Sequence, residues 1–162
     1  MNEGSGREFA VLYETYRVPV YHTALTVLKN RAAAEDVLQE VFVTAYETLE
    51  GGGNIRNFRA WILKVAHNRA LNALRAGGRE FPEEELPLPE PAAGVEDEVI
   101  GRILSAQVLQ CITPEENLAF SLHCLDGYTY REIAEAFQLP VGTVQTRCRT
   151  ARKKMKEAIR RL

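Results

Sequence analysis

Between Thr143 and Lys153 the chain carries Thr143, Gln145, Thr146, Arg149, Thr150 and Lys153, interleaved with Val144, Cys148, Ala151 and then Met155. The apolar members recur at spacings of four, three and four residues, the buried stripe of an α-helix. The polar members therefore face outward. Glutamine and arginine there can form paired hydrogen bonds with adenine and guanine edges, and threonine, lysine and arginine can grip phosphates. The same segment is rich in cations, from Arg147, Arg149, Arg152, Lys153, Lys154 and Lys156 to Arg160 and Arg161. The chemistry that suits this set is non-covalent readout of a DNA major groove.

Two further constellations lie upstream. Gly51 to Arg79 holds no Asp or Glu, but it holds Arg56, Arg59, Lys64, Arg69, Arg75 and Arg79, with His67 and Asn68 among them. Ala32 to Gly53 is the reverse, with no Lys or Arg, and its Asp36, Gln39 and Glu40 fall three and four residues apart on one helical face. Such a face suits a basic partner. Glu80 to Glu98 is acidic again, so two basic zones flank an acidic one, which suggests two contacts with a polyanion. The net charge of −2 conceals this pattern.

The elements that must position these residues read as helices. Phe9, Leu12, Tyr13, Tyr16, Val20, Ala24, Leu25 and Leu28 form one stripe, with Pro19 expected to kink it. Val37, Leu38, Val41, Phe42, Ala45, Tyr46 and Leu49 form another, ended by Gly51-Gly52-Gly53. A third helix is predicted from the cap Asn57 to about Ala76, with Phe58, Trp61, Ile62, Val65, Ala66 and Leu74 as its apolar face. Pro82, Pro87, Pro89 and Pro91 among glutamates mark an extended, flexible linker. Beyond it an amphipathic helix is predicted near Val99–Cys111, followed by two capping boxes, Thr113-Pro114-Glu115-Glu116 and Thr129-Tyr130-Arg131-Glu132. Leu139-Pro140 should end the helix that starts at Tyr130 and turn the chain into the cationic one. The expected fold class is all-α: two small helical modules, 1–78 and 99–162, joined by an acidic linker over 79–98, the second a helix-turn-helix.

Other classes find little support. The glycine-rich phosphate loops, nucleophile elbow and HExxH pattern of common enzymes are absent. Cys111, Cys124 and Cys148 are odd in number and lack a CxxC pair, which fits a reducing cytoplasm. With His123 they match no zinc spacing, so no metal and no cofactor are expected. Nothing resembles a signal peptide or a membrane span. The C-terminal helix pair alone would fit a dimeric repressor or activator on a palindromic operator, but the N-terminal part shows neither a ligand pocket signature nor a phosphoacceptor pattern.

Three segments carry a resemblance. Tyr128-Thr129-Tyr130-Arg131-Glu132-Ile133-Ala134, then Leu139-Pro140-Val141-Gly142-Thr143-Val144 and Arg147, resembles the C-terminal DNA-binding region of bacterial RNA polymerase sigma factors, especially the extracytoplasmic-function group of the sigma-70 family. Ala34-Glu35-Asp36-Val37-Leu38-Gln39-Glu40-Val41-Phe42 is similar to that family's core-binding helix, and Phe58-Arg59-Ala60-Trp61-Ile62 to Asn68-Arg69 to its strand-capturing helix. The resemblance implies that Asp36, Gln39, Glu40 and Phe42 meet the clamp helices of the largest catalytic subunit of core RNA polymerase. It implies that Arg56, Arg59, Lys64, His67, Asn68 and Arg75 meet the melted −10 element, with Asn68 on a flipped base. It assigns Thr143, Gln145, Thr146, Arg147, Arg149, Thr150 and Lys153 to the −35 element. It further implies promoter DNA as ligand, a dedicated anti-sigma factor, and a single copy of the chain in each holoenzyme. Two positions depart from the family: the glycine-rich loop before Asn57 lacks the usual aromatic, and Gln145 stands where a basic residue is common. Trp61 falls on the Phe58–Val65 stripe and is read as core.

Overall fold

The computed structural model describes residues 3–77 and 111–161. The expected linker and the helix predicted near Val99 lie outside these residues, except for Cys111 at that helix's end. The chain divides into two compact units, Met1–Glu84 and Glu85–Leu162. Every regular element among the described residues is helical.

The first unit contains α1 (Glu3–Leu28), α2 (Arg31–Glu50) and α3 (Phe58–Gly77). Each buries one stripe: Val20, Ala24, Leu25 and Leu28 from α1, Ala34, Val37, Val41, Phe42 and Ala45 from α2, and Ile62, Leu63, Ala66 and Ala70 from α3. The many alanines let the backbones approach closely, and an aromatic seam closes one side. Phe42 meets Tyr13 at 4.8 Å and Phe9 at 6.2 Å, while Tyr16 meets Phe58 at 5.4 Å. Pro19 lies inside α1, which runs on through it as one helix.

The connections are tighter than the sequence suggests. Lys29 adopts a left-handed conformation (φ 54°) and Asn30 caps α2, its Oδ1 accepting from Ala33 N–H at 2.9 Å. Two residues thus reverse the chain. Gly51-Gly52-Gly53 ends α2 as expected, as a hydrogen-bonded cap. Gly51 N–H donates to Glu47 O and Gly53 N–H to Thr48 O, both at 2.9 Å. A Cβ on Gly53 would lie 2.8 Å from that Thr48 oxygen, so only glycine fits. Asn57 caps α3 as expected, accepting from Ala60 N–H at 3.3 Å.

The second unit contains α4 (Pro114–Phe120), a π-helical turn (Ser121–Leu125), α5 (Tyr130–Phe137) and α6 (Val141–Arg160). Thr113 Oγ1 accepts from Glu116 N–H at 3.2 Å, but the Glu116 carboxylate accepts from Lys154 Nζ at 2.9 Å, tying α4 to α6 rather than completing the expected capping box. The box at Thr129 is complete: Thr129 N–H donates to Glu132 Oε1 and Glu132 N–H to Thr129 Oγ1, both at 3.0 Å. The π-helical turn has no counterpart in the sequence reading. It ends with Asp126 N–H donating to Ser121 O (3.0 Å) and Tyr128 N–H to Leu122 O (2.9 Å), which drives Tyr128 into the core. His123 Nδ1, 2.7 Å from Tyr128 O, and the His123 ring stacked on Tyr130 at 3.9 Å fix the chain leading into α5.

His22 is buried in the first unit, and burial lowers its pKa to about 4. Its folded pKa lies below the ordinary value, so stability is complete above about pH 6.5 and is lost as pH falls toward 4. We expect the first unit to lose about 2 kcal/mol between pH 7 and pH 5 by this route. Denaturant titration at the two pH values checks it, and His22→Leu should flatten the dependence.

Candidate nucleic-acid interface

In the second unit the helix-turn-helix is built by backbone hydrogen bonds. α5 ends at Phe137, one residue before Leu139-Pro140 could force it to. Gln138 takes the left-handed conformation (φ 54°, ψ 46°), and Leu139 N–H donates to Ala134 O at 2.9 Å. Pro140 then leads into α6. Ile133, Ala134 and Phe137 of α5 face inward, as do Val144, Cys148, Ala151 and Met155 of α6, matching the sequence reading. Burial pushes the Cys148 thiol up to about 11, so it is a packed neutral group.

The outward side of α6 is graded. Thr146, Arg149 and Lys153 are exposed and recur at three and four residues. Gly142 continues their line one turn earlier, where a Cβ would meet nothing within 4 Å. Thr143, Gln145, Arg147 and Thr150 flank this stripe and are half-buried. On one flank Lys154 is held by Glu116 of α4. On the other, Arg152 donates to Cys124 Sγ at 3.5 Å. These cations are therefore partly committed to the unit's own structure. Burial pushes the Asp126 carboxyl up to about 6, at the turn beneath α5.

In the first unit Asp36, Gln39 and Glu40 are exposed on α2. Phe42 is not on that face. It is 4% exposed and packs between Tyr13 and Phe9, so it supports the helix from within. Val43, 56% exposed, is the apolar side chain next to Gln39 and Glu40, a residue that the sequence reading missed.

On α3 the spacing of Trp61, Lys64, Asn68, Asn72 and Arg75 places them along one face, with Trp61 half-buried and the others exposed. Trp61 packs against Phe58, their ring centroids 5.8 Å apart, at the edge of the core whose centre Ile62 and Leu63 fill. Asn72 joins the face at the spacing that follows Asn68 and could have been found from that periodicity. Arg56 is exposed in the preceding loop. Arg59 is half-buried, on the side of Ile62 and Leu63. His67 is half-buried too, and burial lowers its pKa, so it adds no cation at neutral pH. Arg69 turns toward α2, its Nη2 donating to Thr44 Oγ1 at 2.7 Å. Among the described residues no group of three His, Cys, Asp or Glu side chains could hold a metal ion, and no helix is long and apolar enough to cross a membrane.

Comparison with known proteins shows the family. Residues 12–80 match the family profile Sigma-70 region 2, and residues 106–155 match Sigma-70, region 4. The ECF RNA polymerase sigma-E factor of Haemophilus influenzae is 32% identical over 177 residues, covering 100% of this chain and 93% of that one. This chain belongs to the extracytoplasmic-function group of sigma-70 factors. The ECF RNA polymerase sigma factor SigW of Bacillus subtilis is 28% identical, covering 100% of this sigma factor and 94% of SigW. The fold is also that of the sigma factor RpoE in its complex with the anti-sigma factor NepR from Bartonella quintana, with a TM-score of 0.64 at 19% identity, over 95% of this chain and 98% of that one. The sigma factor accordingly directs transcription initiation at promoters, as a member of a family of regulatory proteins.

Glutamine in the left-handed region is strained relative to glycine. We expect Gln138→Gly to stabilise the second unit by roughly 0.5–1 kcal/mol without altering DNA binding. A thermal melt beside a promoter-binding titration checks both halves of the expectation.

Proposed function

We propose that this sigma factor works through three separate faces, one on each of α2, α3 and α6. Asp36, Gln39 and Glu40, with Val43 one turn beyond them and Phe42 behind, dock on basic clamp helices of core RNA polymerase. The exposed stripe of α6 enters the major groove of the −35 element, with Arg149 and Gln145 reading bases and Thr143, Thr146, Arg147, Thr150 and Lys153 gripping phosphates or base edges. The α3 face captures the −10 element as a single strand, with Lys64 and Arg75 on phosphates, Asn68 on an unstacked base, and Trp61 offering a ring on which a base can stack. Arg56 and Arg59 extend that track at the start of α3, and His67 contributes shape rather than charge.

The observation that carries this reading is that the outward faces of α2 and α3 differ in chemistry while their inward faces share one core. α2 presents carboxylates, and α3 presents cations and amides. One module can then hold a protein with one helix and a nucleic acid with the next. Residues 1–78 and 99–162 act as the two working modules and 79–98 as their acidic tether. The chain makes and breaks no bond; polymerase does the chemistry. It acts in the cytoplasm, as one copy per holoenzyme, and an anti-sigma factor restrains it by covering these same faces.

Run-off transcription with purified core polymerase tests the whole reading. Asp36→Lys should weaken holoenzyme assembly in a pull-down, and unaltered assembly would move the docking face elsewhere. Asn68→Ala should leave duplex binding intact and reduce permanganate reactivity of the −10 thymines; unchanged reactivity would remove Asn68 from strand capture. Arg149→Ala should cost about 1–3 kcal/mol in upstream binding and relax preference at one position. A uniform loss across sequences would make it a phosphate contact instead.

A further inference from the structure

Arg69 occupies an unusual position between the two faces of the first unit. It follows Asn68 directly on α3, yet its guanidinium reaches across to α2. Nη2 donates to Thr44 Oγ1 at 2.7 Å, and Nη1 lies 3.9 Å from Glu40 Oε2. Glu40 is one of the carboxylates on the acidic face. This ion pair therefore links the helix assigned to polymerase with the helix assigned to DNA.

The pair is weakly held. Its side chains are 43% and 56% exposed and 3.9 Å apart, so solvent screens most of their attraction. A basic side chain arriving at Glu40 would compete for the carboxylate and would repel the guanidinium beside it. Thr44 satisfies only one of the five N–H donors of arginine. The displaced guanidinium starts one residue from Asn68 and one turn from Asn72, so the nearest alternative anion is a phosphate of a strand lying along α3.

We propose that Arg69 is a coupling residue, held by Glu40 and Thr44 in the free chain and transferred to a phosphate of the single-stranded promoter segment when a basic polymerase surface engages Glu40. This rests on the assignment of α2 to polymerase and α3 to the strand. Docking then adds a cation to the DNA face, and by thermodynamic reciprocity a bound strand favours docking. The cost of releasing Arg69 from Glu40 and Thr44 also lowers the affinity of the free chain for DNA.

The salt dependence of binding reads this transfer directly, because each phosphate contact on a single strand adds about 0.7 to the slope of log K against log salt. The probe is a fluorescent oligonucleotide carrying a single-stranded −10 segment, titrated with holoenzyme and with the free chain. In holoenzyme, Arg69→Gln should lower the slope by about 0.7, and Arg69→Lys, which keeps the charge, should restore it. In the free chain, Arg69→Gln should leave the slope unchanged, while Thr44→Val, which removes the neutral tether, should raise strand affinity. Lys64→Gln should lower the slope in holoenzyme whether or not Arg69 moves. If Lys64→Gln lowers it and Arg69→Gln does not, the coupling is overturned and Arg69 serves only to join α2 to α3. If Arg69→Gln lowers the slope equally in the free chain, Arg69 is a standing DNA contact and the gating is overturned. If neither variant alters the slope, the assignment of α3 to the strand fails first.

Discussion

A helix in a small module has one stripe to bury, and everything else in this sigma factor follows from how that stripe is filled. In the first unit Ala34, Ala45, Ala66 and Ala70 alternate with Val37, Val41, Ile62 and Leu63, so that α1, α2 and α3 close on one another around a mixed core of small and large side chains. In the second, Ala134, Ala136 and Ala151 do the same for α5 and α6. Small interiors free the remaining helical surface for long polar side chains. The outward faces are therefore the complement of the core: shifting α6 by one residue would exchange Arg149 for the buried position of Cys148.

Charge is the second constraint, and it is less freely available than composition implies. Lys154 is engaged by Glu116, Arg152 by Cys124 and Arg69 by Thr44 and Glu40. Each contact crosses between helices and each uses a cation from a helix that reads as nucleic-acid binding. The exposed cations that remain on the outward stripes, Lys64 and Arg75 on α3 and Arg149 and Lys153 on α6, are fewer and better placed. Sharing cations between scaffold and ligand also makes electrostatic coupling between faces possible, since a guanidinium can change partner without any helix moving.

Much of this was legible in the residues. The stripes of α5 and α6, the cap at Asn57 and the box at Thr129 appear in the structure as their spacing requires, because local periodicity and capping are properties of a few neighbouring residues, whereas α3 buries Leu63 and Ala70 beside Ile62 and Ala66 and leaves the expected Leu74 exposed. The family resemblance of both regions was legible for the same reason. Other features depended on partners distant in the chain. Glu116 looked like half of a capping box, but Lys154, 38 residues away, takes its carboxylate. The resemblance placed Phe42 among the docking residues, yet Tyr13 and Phe9 enclose it. Trp61 looked like core, yet Ile62 and Leu63 occupy that side and leave it at the edge.

The amino-acid sequence by itself determined the caps at Asn57 and Thr129, the inward stripes of α5 and α6, and which segments are cationic or acidic, since these are set within a turn or two of chain. Tertiary structure alone decided which charged side chains remain available to a partner. The reason is that a cation's reach is several ångströms in space and indifferent to chain distance, so Arg69 finds Glu40 and Thr44 only after α2 and α3 have packed.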